Sequence, residues 1–295
     1  MTLSIRPANP SRPDFVGEVA GVDIRRGVTP AEAAAIEAAM DRYGVLVFHD
    51  QEIDDQQQIA FSRHFGPLEL ATGDLVQGEQ RRLSMEVNDI SNLHRDGSVM
   101  ARDDRKRLFS LGNMLWHSDS SFKATPAKYS LLSARVIPGA GGNTEFADMR
   151  AAWEALDAET KALVRDLVTE HSQIFSRGIL GFTDFTEAER AKWAPVPQRL
   201  VRRHPRTGRL SLFLSSHAGA IQGWPVPEAR ALLRDLTEHA TQREFVHAHV
   251  WRPHDLVMWD NRVTMHRARR YDSSQVRDLH RTTVADMAPT LEQAA

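Results

Sequence analysis

The 295-residue sequence contains no cysteine. That absence excludes disulfides, thiolate nucleophiles and cysteine-ligated zinc in one step, and it is compatible with a cytoplasmic protein. Neither sign of charge is in excess: 37 Lys and Arg stand against 39 Asp and Glu, for a formal net charge of −2. Nucleic acid and anionic membrane surfaces are therefore not expected partners on electrostatic grounds. No apolar signal core follows Met1, and no run approaches the roughly 20 apolar residues of a membrane-spanning helix. Internal repeats, low-complexity tracts and clear linkers are also missing. What is present, 41% hydrophobic and 26% charged residues, is the composition of an ordinary globular chain with enough length to bury a substantial core. The expectation is a soluble enzyme forming one domain over residues 1–295.

Local patterns predict the elements. Residues 14–24 alternate loosely around Gly17 and Gly21 and read as short strands with a turn. Thr29-Pro30-Ala31-Glu32 is a helix start, with an N-cap, proline at the first helical position and a glutamate closing a capping box; Gly44 can end that helix. Val45–Phe48 reads as a fully buried strand, and residues 54–65 as a second helix with Phe61 and Phe65 on one face. Residues 68–112 are polar and poorly periodic, the pattern of an active-site lid or insert. Further on, a strand over 131–137, a helix over 151–168 broken near Asp157, a helix over 226–240 and strands over 245–251, 256–259 and 277–284 are expected. Strands split along the chain with helices between them predict a mainly β, α+β architecture, an antiparallel barrel or jelly roll flanked by helices.

Chemistry enters with Trp116-His117-Ser118-Asp119. On a strand, residues two apart point to one face roughly 7 Å apart, close enough to converge on one ion. The spacing alone is weak, because His94-Arg95-Asp96 has it too; that second pair, followed by Gly97, reads as a polar turn. His266 follows a buried strand that ends in Trp259-Asp260-Asn261, and two imidazoles with one carboxylate make the facial set used by non-haem Fe(II) sites. A surface histidine beside Arg267 is the equal alternative for His266. His247 and His249 share a strand face without a third ligand and read as a wetted face. Arg277 and Arg281 also share a face: either they form a double receptor for acids, or they belong to an exposed basic strand balanced by Asp272 and Asp278. His217 can donate to a substrate carboxylate or make a structural hydrogen bond.

At these residues the sequence resembles the TauD/TfdA family of Fe(II)- and 2-oxoglutarate-dependent dioxygenases, and within it the branch that oxidises 2,4-dichlorophenoxyacetate. The resemblance runs from about Phe15 to Val284. It is densest at 115–122 (Leu-Trp-His-Ser-Asp-Ser-Ser-Phe), 141–152, 238–246 and 255–262 (Asp-Leu-Val-Met-Trp-Asp-Asn-Arg). It implies a double-stranded β-helix, a distorted jelly roll of the cupin-like barrel type. It implies His117, Asp119 and His266 as iron ligands, and Thr144 and Arg277 as the holders of the far carboxylate of 2-oxoglutarate. Arg281 would grip the substrate acid, with Asn113 and His217 lining the substrate pocket. Fe(II), 2-oxoglutarate and O2 are the implied cofactor and cosubstrates. An aryloxyacetate is the implied substrate, a taurine-like sulfonate or sulfate ester the alternative, and a non-catalytic metal-binding barrel is disfavoured by the keto-acid anchor. Self-association into a homo-oligomer is also implied.

Overall fold

Thr29 caps the first helix as its sequence requires. Its hydroxyl accepts from the Glu32 N–H while the Glu32 carboxylate accepts from the Thr29 N–H, and the helix Pro30–Tyr43 stops at Gly44, whose φ of 78° suits a residue without Cβ. Thr29→Ala removes that cap and is expected to lower unfolding stability by about 1 kcal/mol in urea titration, with turnover unchanged. The computed structural model describes residues 2–71 and 81–293. The second helix, Asp55–Arg63, is capped by Asp54, and the rings of Phe61 and Phe65 meet edge to face at 5.2 Å. The helical stretch expected over 151–168 is two helices, Met149–Ala155 and Ala158–Val164. Asp157 caps the second, and Val168 already belongs to a strand. Val226–Ala240 is helical as expected.

Among the described residues the strands form four sheets. The largest has seven strands in the order Ser4–Pro7, Val16–Ala20, Val45–Phe48, Leu256–Asp260, Ala127–Val136, Asp278–Ala285, Asn88–Ser91. All its neighbours are antiparallel except Val16–Ala20 with Val45–Phe48. A three-stranded antiparallel sheet, Val246–His249, Thr144–Asp148 and Thr264–Ala268, packs against it. This is a mixed α+β fold, and it corrects the expected jelly-roll barrel: among the described residues no sheet is closed or strongly curled, and the large sheet ends at two edge strands, Ser4–Pro7 and Asn88–Ser91. Alternation of apolar residues determines which side chains face a core. It carries no information on whether the last strand pairs with the first, which is what closes a barrel.

Two-residue periodicity divides the core. In the central strand, Leu256 and Met258 point to the face covered by the helices Pro30–Tyr43 and Asp55–Arg63, joining Leu46, Phe48, Tyr129 and Leu131. Val257 and Trp259 point to the other face and meet Phe146 of the small sheet, with ring centroids of Phe146 and Trp259 5.5 Å apart. The small sheet turns Ala147 and Met265 outward to a third cluster under the helices Met149–Ala155 and Val226–Ala240. The faces of the two sheets that look at each other therefore carry Phe146, His266, Leu279 and Arg281, and the functional residues lie in that inter-sheet space. The polar stretch 68–112 is more ordered than expected: Asn88–Ser91 is an edge strand and Arg105–Ser110 a short helix, while 72–80, part of the expected lid, lies outside the described residues. Among the described residues no helix is long and apolar enough to cross a membrane.

Candidate active site

His117 is held by a single antiparallel bridge beside the strand Thr264–Ala268. Its N–H donates to the His266 carbonyl at 3.0 Å, and the His266 N–H returns a bond to the His117 carbonyl at 2.8 Å. That bridge fixes the two imidazoles side by side, with centroids 4.2 Å apart. Asp119 reaches them differently from the expectation of two residues on one strand face. The chain turns after Ser118, and Ser120 takes a φ of 53°, a left-handed conformation that non-glycine residues seldom adopt. The turn brings Asp119 Oδ1 to 3.9 Å from His117 Nε2 and Oδ2 to 3.7 Å from His266 Nε2. Among the described residues, these three form the one group of His and acidic side chains arranged to hold a metal, with ligand atoms all within 4.8 Å of one another. His94 and Asp96 are not in it: Asp96 caps its own turn by accepting from the Ser98 N–H, with Gly97 at φ 85°.

Protonation suits metal binding. Burial pushes both imidazoles below the usual histidine range, most strongly at His266, so each presents a neutral nitrogen. Burial alone would raise the Asp119 carboxyl, but the Arg281 guanidinium and the two imidazoles hold it at about 2. The ligands are also oriented from behind. His117 Nδ1 meets the Leu115 carbonyl at 2.7 Å, which turns Nε2 toward the site. Asp119 Oδ2 accepts from Ser130 Oγ at 2.7 Å, its N–H donates to Asn261 Oδ1 at 3.0 Å, and Asn261 Nδ2 donates to Ser130 Oγ at 3.0 Å. The His266 ring packs against both Phe146 and Trp259, and its Nδ1 is a buried atom without a hydrogen-bond partner. Two nitrogens and an ionised carboxylate on one side of a common point fit a divalent ion with its opposite side open for ligands.

The neighbouring residues divide between two cavities. One, of about 720 Å³, reaches down to Arg277. This guanidinium is 5% exposed and pairs with no carboxylate among the described residues. Its contacts are long ones to the carbonyls of Ile90 (3.4 Å) and Gly142 (3.5 Å) and the face of Tyr271. Two residues after Gly142, buried Thr144 accepts from Trp251 Nε1 at 3.0 Å, which leaves the threonine proton free to donate. The other cavity, of about 50 Å³, is lined by His117, Asp119, Arg281 and His217, and Asn113 borders both. Arg281 is thus brought to the metal ligands, where its Nη1 hydrogen-bonds Asp119 Oδ1. His217 is fully buried, with Nδ1 2.9 Å from Ser176 Oγ and its ring edge on Phe122. His247 and His249 are not part of the metal-ligand group; His249 is buried against Trp251 rather than wetted.

Sequence patterns missed several contributors. Ser130 and Arg177 carried no signal, because each reaches the site only through the packing of distant strands or helices. Asn261 stood in a recognised stretch, but its bond to the Asp119 backbone depends on a turn invisible in the sequence. Asp260 and Arg262 beside it form a buried bidentate ion pair (2.6 and 2.9 Å) that points away from the metal ligands and supports the fold.

Comparison with known proteins matches this architecture as a whole. Residues 5–283 match the family described as "Taurine catabolism dioxygenase TauD, TfdA family". The chain is 48% identical to the alpha-ketoglutarate-dependent 2,4-dichlorophenoxyacetate dioxygenase of Cupriavidus pinatubonensis, over 95% of this chain and 98% of that protein. It is 40% identical to the (S)-phenoxypropionate/alpha-ketoglutarate-dioxygenase of Sphingobium herbicidovorans, over 85% of each. Among solved structures, AAD-2 in complex with Mn(II) and N-oxalylglycine superimposes with a TM-score of 0.94 at 59% identity, covering 98% of this chain and 100% of that one. With its His-Asp-His triad inside a match that spans nearly its whole length, the chain belongs to the TauD/TfdA family and is a 2-oxoglutarate-dependent dioxygenase.

Proposed function

We propose that the enzyme oxidises an aryloxyacetate at the carbon next to the acid, giving a phenol and glyoxylate while 2-oxoglutarate and O2 become succinate and CO2. The observation that carries this reading is Arg277, a buried cation with no carboxylate partner among the described residues, in a cavity that shares Asn113 with the one at the metal triad. A buried guanidinium without an anion is costly, and a dicarboxylate cosubstrate removes that cost. The aryloxy acids named for the similar enzymes from Cupriavidus and Sphingobium support the substrate class.

Fe(II), held by His117, Asp119 and His266, supplies the activation of O2. The chain's own residues supply binding, orientation and water exclusion. Arg277 forks onto the far carboxylate of 2-oxoglutarate, and Thr144 donates its free proton to the same group. Arg281 receives the substrate acid beside the metal ligands, Asn113 borders both cavities, and His217 lines the smaller one. Within the stretch 68–112, the described residues Glu69, Leu70 and Asn88 serve as pocket wall of the smaller cavity, and Glu69 accepts from Ser120 Oγ at 2.7 Å. A cytoplasmic homo-oligomer is part of this reading, checked by light scattering of the purified enzyme.

Succinate formation with phenoxyacetate, accompanied by phenol, is the expected result; turnover of taurine with no phenol from phenoxyacetate overturns the choice of acid. Arg281→Ala is expected to raise the KM for phenoxyacetate by about 50-fold while leaving that for 2-oxoglutarate within about threefold. Equal losses for both acids mean that the two arginines are misassigned. Fe(II) affinity is measured in the same variant, because Arg281 also bonds Asp119.

A further inference from the structure

A second arginine lines the small cavity, and no motif pointed to it. Arg177 sits in the short helix Gln173–Ile179 and is 5% exposed. Its guanidinium lies on the Phe109 ring, 4.5 Å from the centroid, and Nη1 donates to Ser176 Oγ at 3.2 Å. Nε is buried without a hydrogen-bond partner, and no carboxylate among the described residues pairs with the group. Burial lowers its pKa to about 10, so it remains a cation at neutral pH. The backbone is shaped to admit it. A Cβ placed on Gly112 would come within 2.3 Å of Arg177 Cζ and 2.5 Å of Nε and Nη1, so a side chain at 112 and the guanidinium in its present position exclude each other.

The other charges around this cavity are matched. Glu69 holds Lys123 at 2.5 Å, and Asp119 holds Arg281, which leaves Arg177 as the unmatched cation among the lining residues. About 50 Å³ accommodates an acid headgroup with a few waters, not a whole aryl ring. Ser176 Oγ joins Arg177 to His217, whose ring stands edge on to His117 at 6.2 Å, so the cation faces the space above the metal ligands.

We propose that Arg177 is a substrate-binding residue that receives the acid group of the aryloxyalkanoate, opposite Arg281, and thereby selects acids over neutral aryl ethers. An anion there relieves an uncompensated buried charge, which is why acid binding at this point is favoured over a structural role alone. The inference rests on the aryloxy-acid reading above.

The test is anaerobic calorimetry of the Fe(II)- and 2-oxoglutarate-loaded enzyme with phenoxyacetate and with its neutral isostere phenoxyacetamide. Arg177→Met is expected to weaken phenoxyacetate by about 50-fold and the amide by less than about threefold, with Tm unchanged or raised. Arg177→Lys should restore part of the preference for the acid. Gly112→Ala, which displaces the guanidinium and keeps its charge, should lose that preference as well. An Arg177→Met enzyme that keeps the wild-type preference, or that weakens both ligands equally with a lowered Tm, overturns the inference and leaves Arg177 as a prop for Phe109. If Arg177→Met does not fold, the Gly112→Ala preference decides alone. A wild-type enzyme that binds no phenoxyacetate overturns the aryloxy-acid reading instead, and this inference with it.

Discussion

Asp119→Ala is expected to abolish 2-oxoglutarate turnover, with kcat/KM falling by at least about 1000-fold, equivalent to about 4 kcal/mol of lost transition-state stabilisation. The size follows from how much converges on this one carboxylate. It is the anionic member of the three-ligand group, and it takes hydrogen bonds from Ser130 and from Arg281. Its removal leaves two neutral imidazoles to hold a divalent ion and deprives the partly buried Arg281 of its carboxylate partner. Anaerobic Fe(II) titration should report weakened binding in parallel with the lost succinate. A variant that still forms succinate at the wild-type rate would show that the ion is held elsewhere. Ser130→Ala provides the graded control: the carboxylate stays and its orientation loosens, so metal affinity should fall by about tenfold, the lower end for outer partners of metal ligands.

Arg277→Met carries the second large effect, on the cosubstrate. A charge-assisted, two-pronged pairing of guanidinium and carboxylate in a dry site is lost, and the KM for 2-oxoglutarate should rise by about 100-fold, or about 2.7 kcal/mol. Stability should move the other way. Arg277 is buried against the Tyr271 face with only long carbonyl contacts, so replacing it with an apolar chain of similar length removes a desolvated charge. Tm of the ligand-free variant is expected to equal or exceed that of the wild type, while the stabilisation conferred by added 2-oxoglutarate should vanish. A lowered Tm with an unchanged KM would assign Arg277 to the fold and leave the keto-acid seat without its anchor.

Much of the site is legible in the order of the amino acids. The capping box at Thr29, the doubly buried strand Val45–Phe48 and the helix Val226–Ala240 follow from local rules that act over a few residues, and they form where those rules put them. Alternation also predicts a shared face for Arg277 and Arg281, but Arg277 precedes the strand Asp278–Ala285 that carries Arg281, and the two line different cavities. The two His-x-Asp pairs are not distinguishable by spacing. The structure separates them because His117 bridges the His266 strand, whereas Asp96 spends its carboxylate on its own turn.

Sheet closure is the clearest case in which local pattern misleads. The strands alternate as a barrel's would, yet N-terminal strands extend the large sheet to an open edge. Closure is a question of long-range pairing that periodicity does not address. The same limit hides Arg177, whose role depends on Gly112 and Phe109 on one side and a distant cavity on the other. The amino-acid order alone settles which residues are able to ligate a metal, cap a helix or fork onto an acid. Folding decides which of them meet, which guanidinium is already paired with Asp119, and which is left buried without an anion. The physical reason is range: propensity and capping act within a turn or two of backbone, while burial and charge matching are set by side chains that packing brings together from opposite ends of the chain.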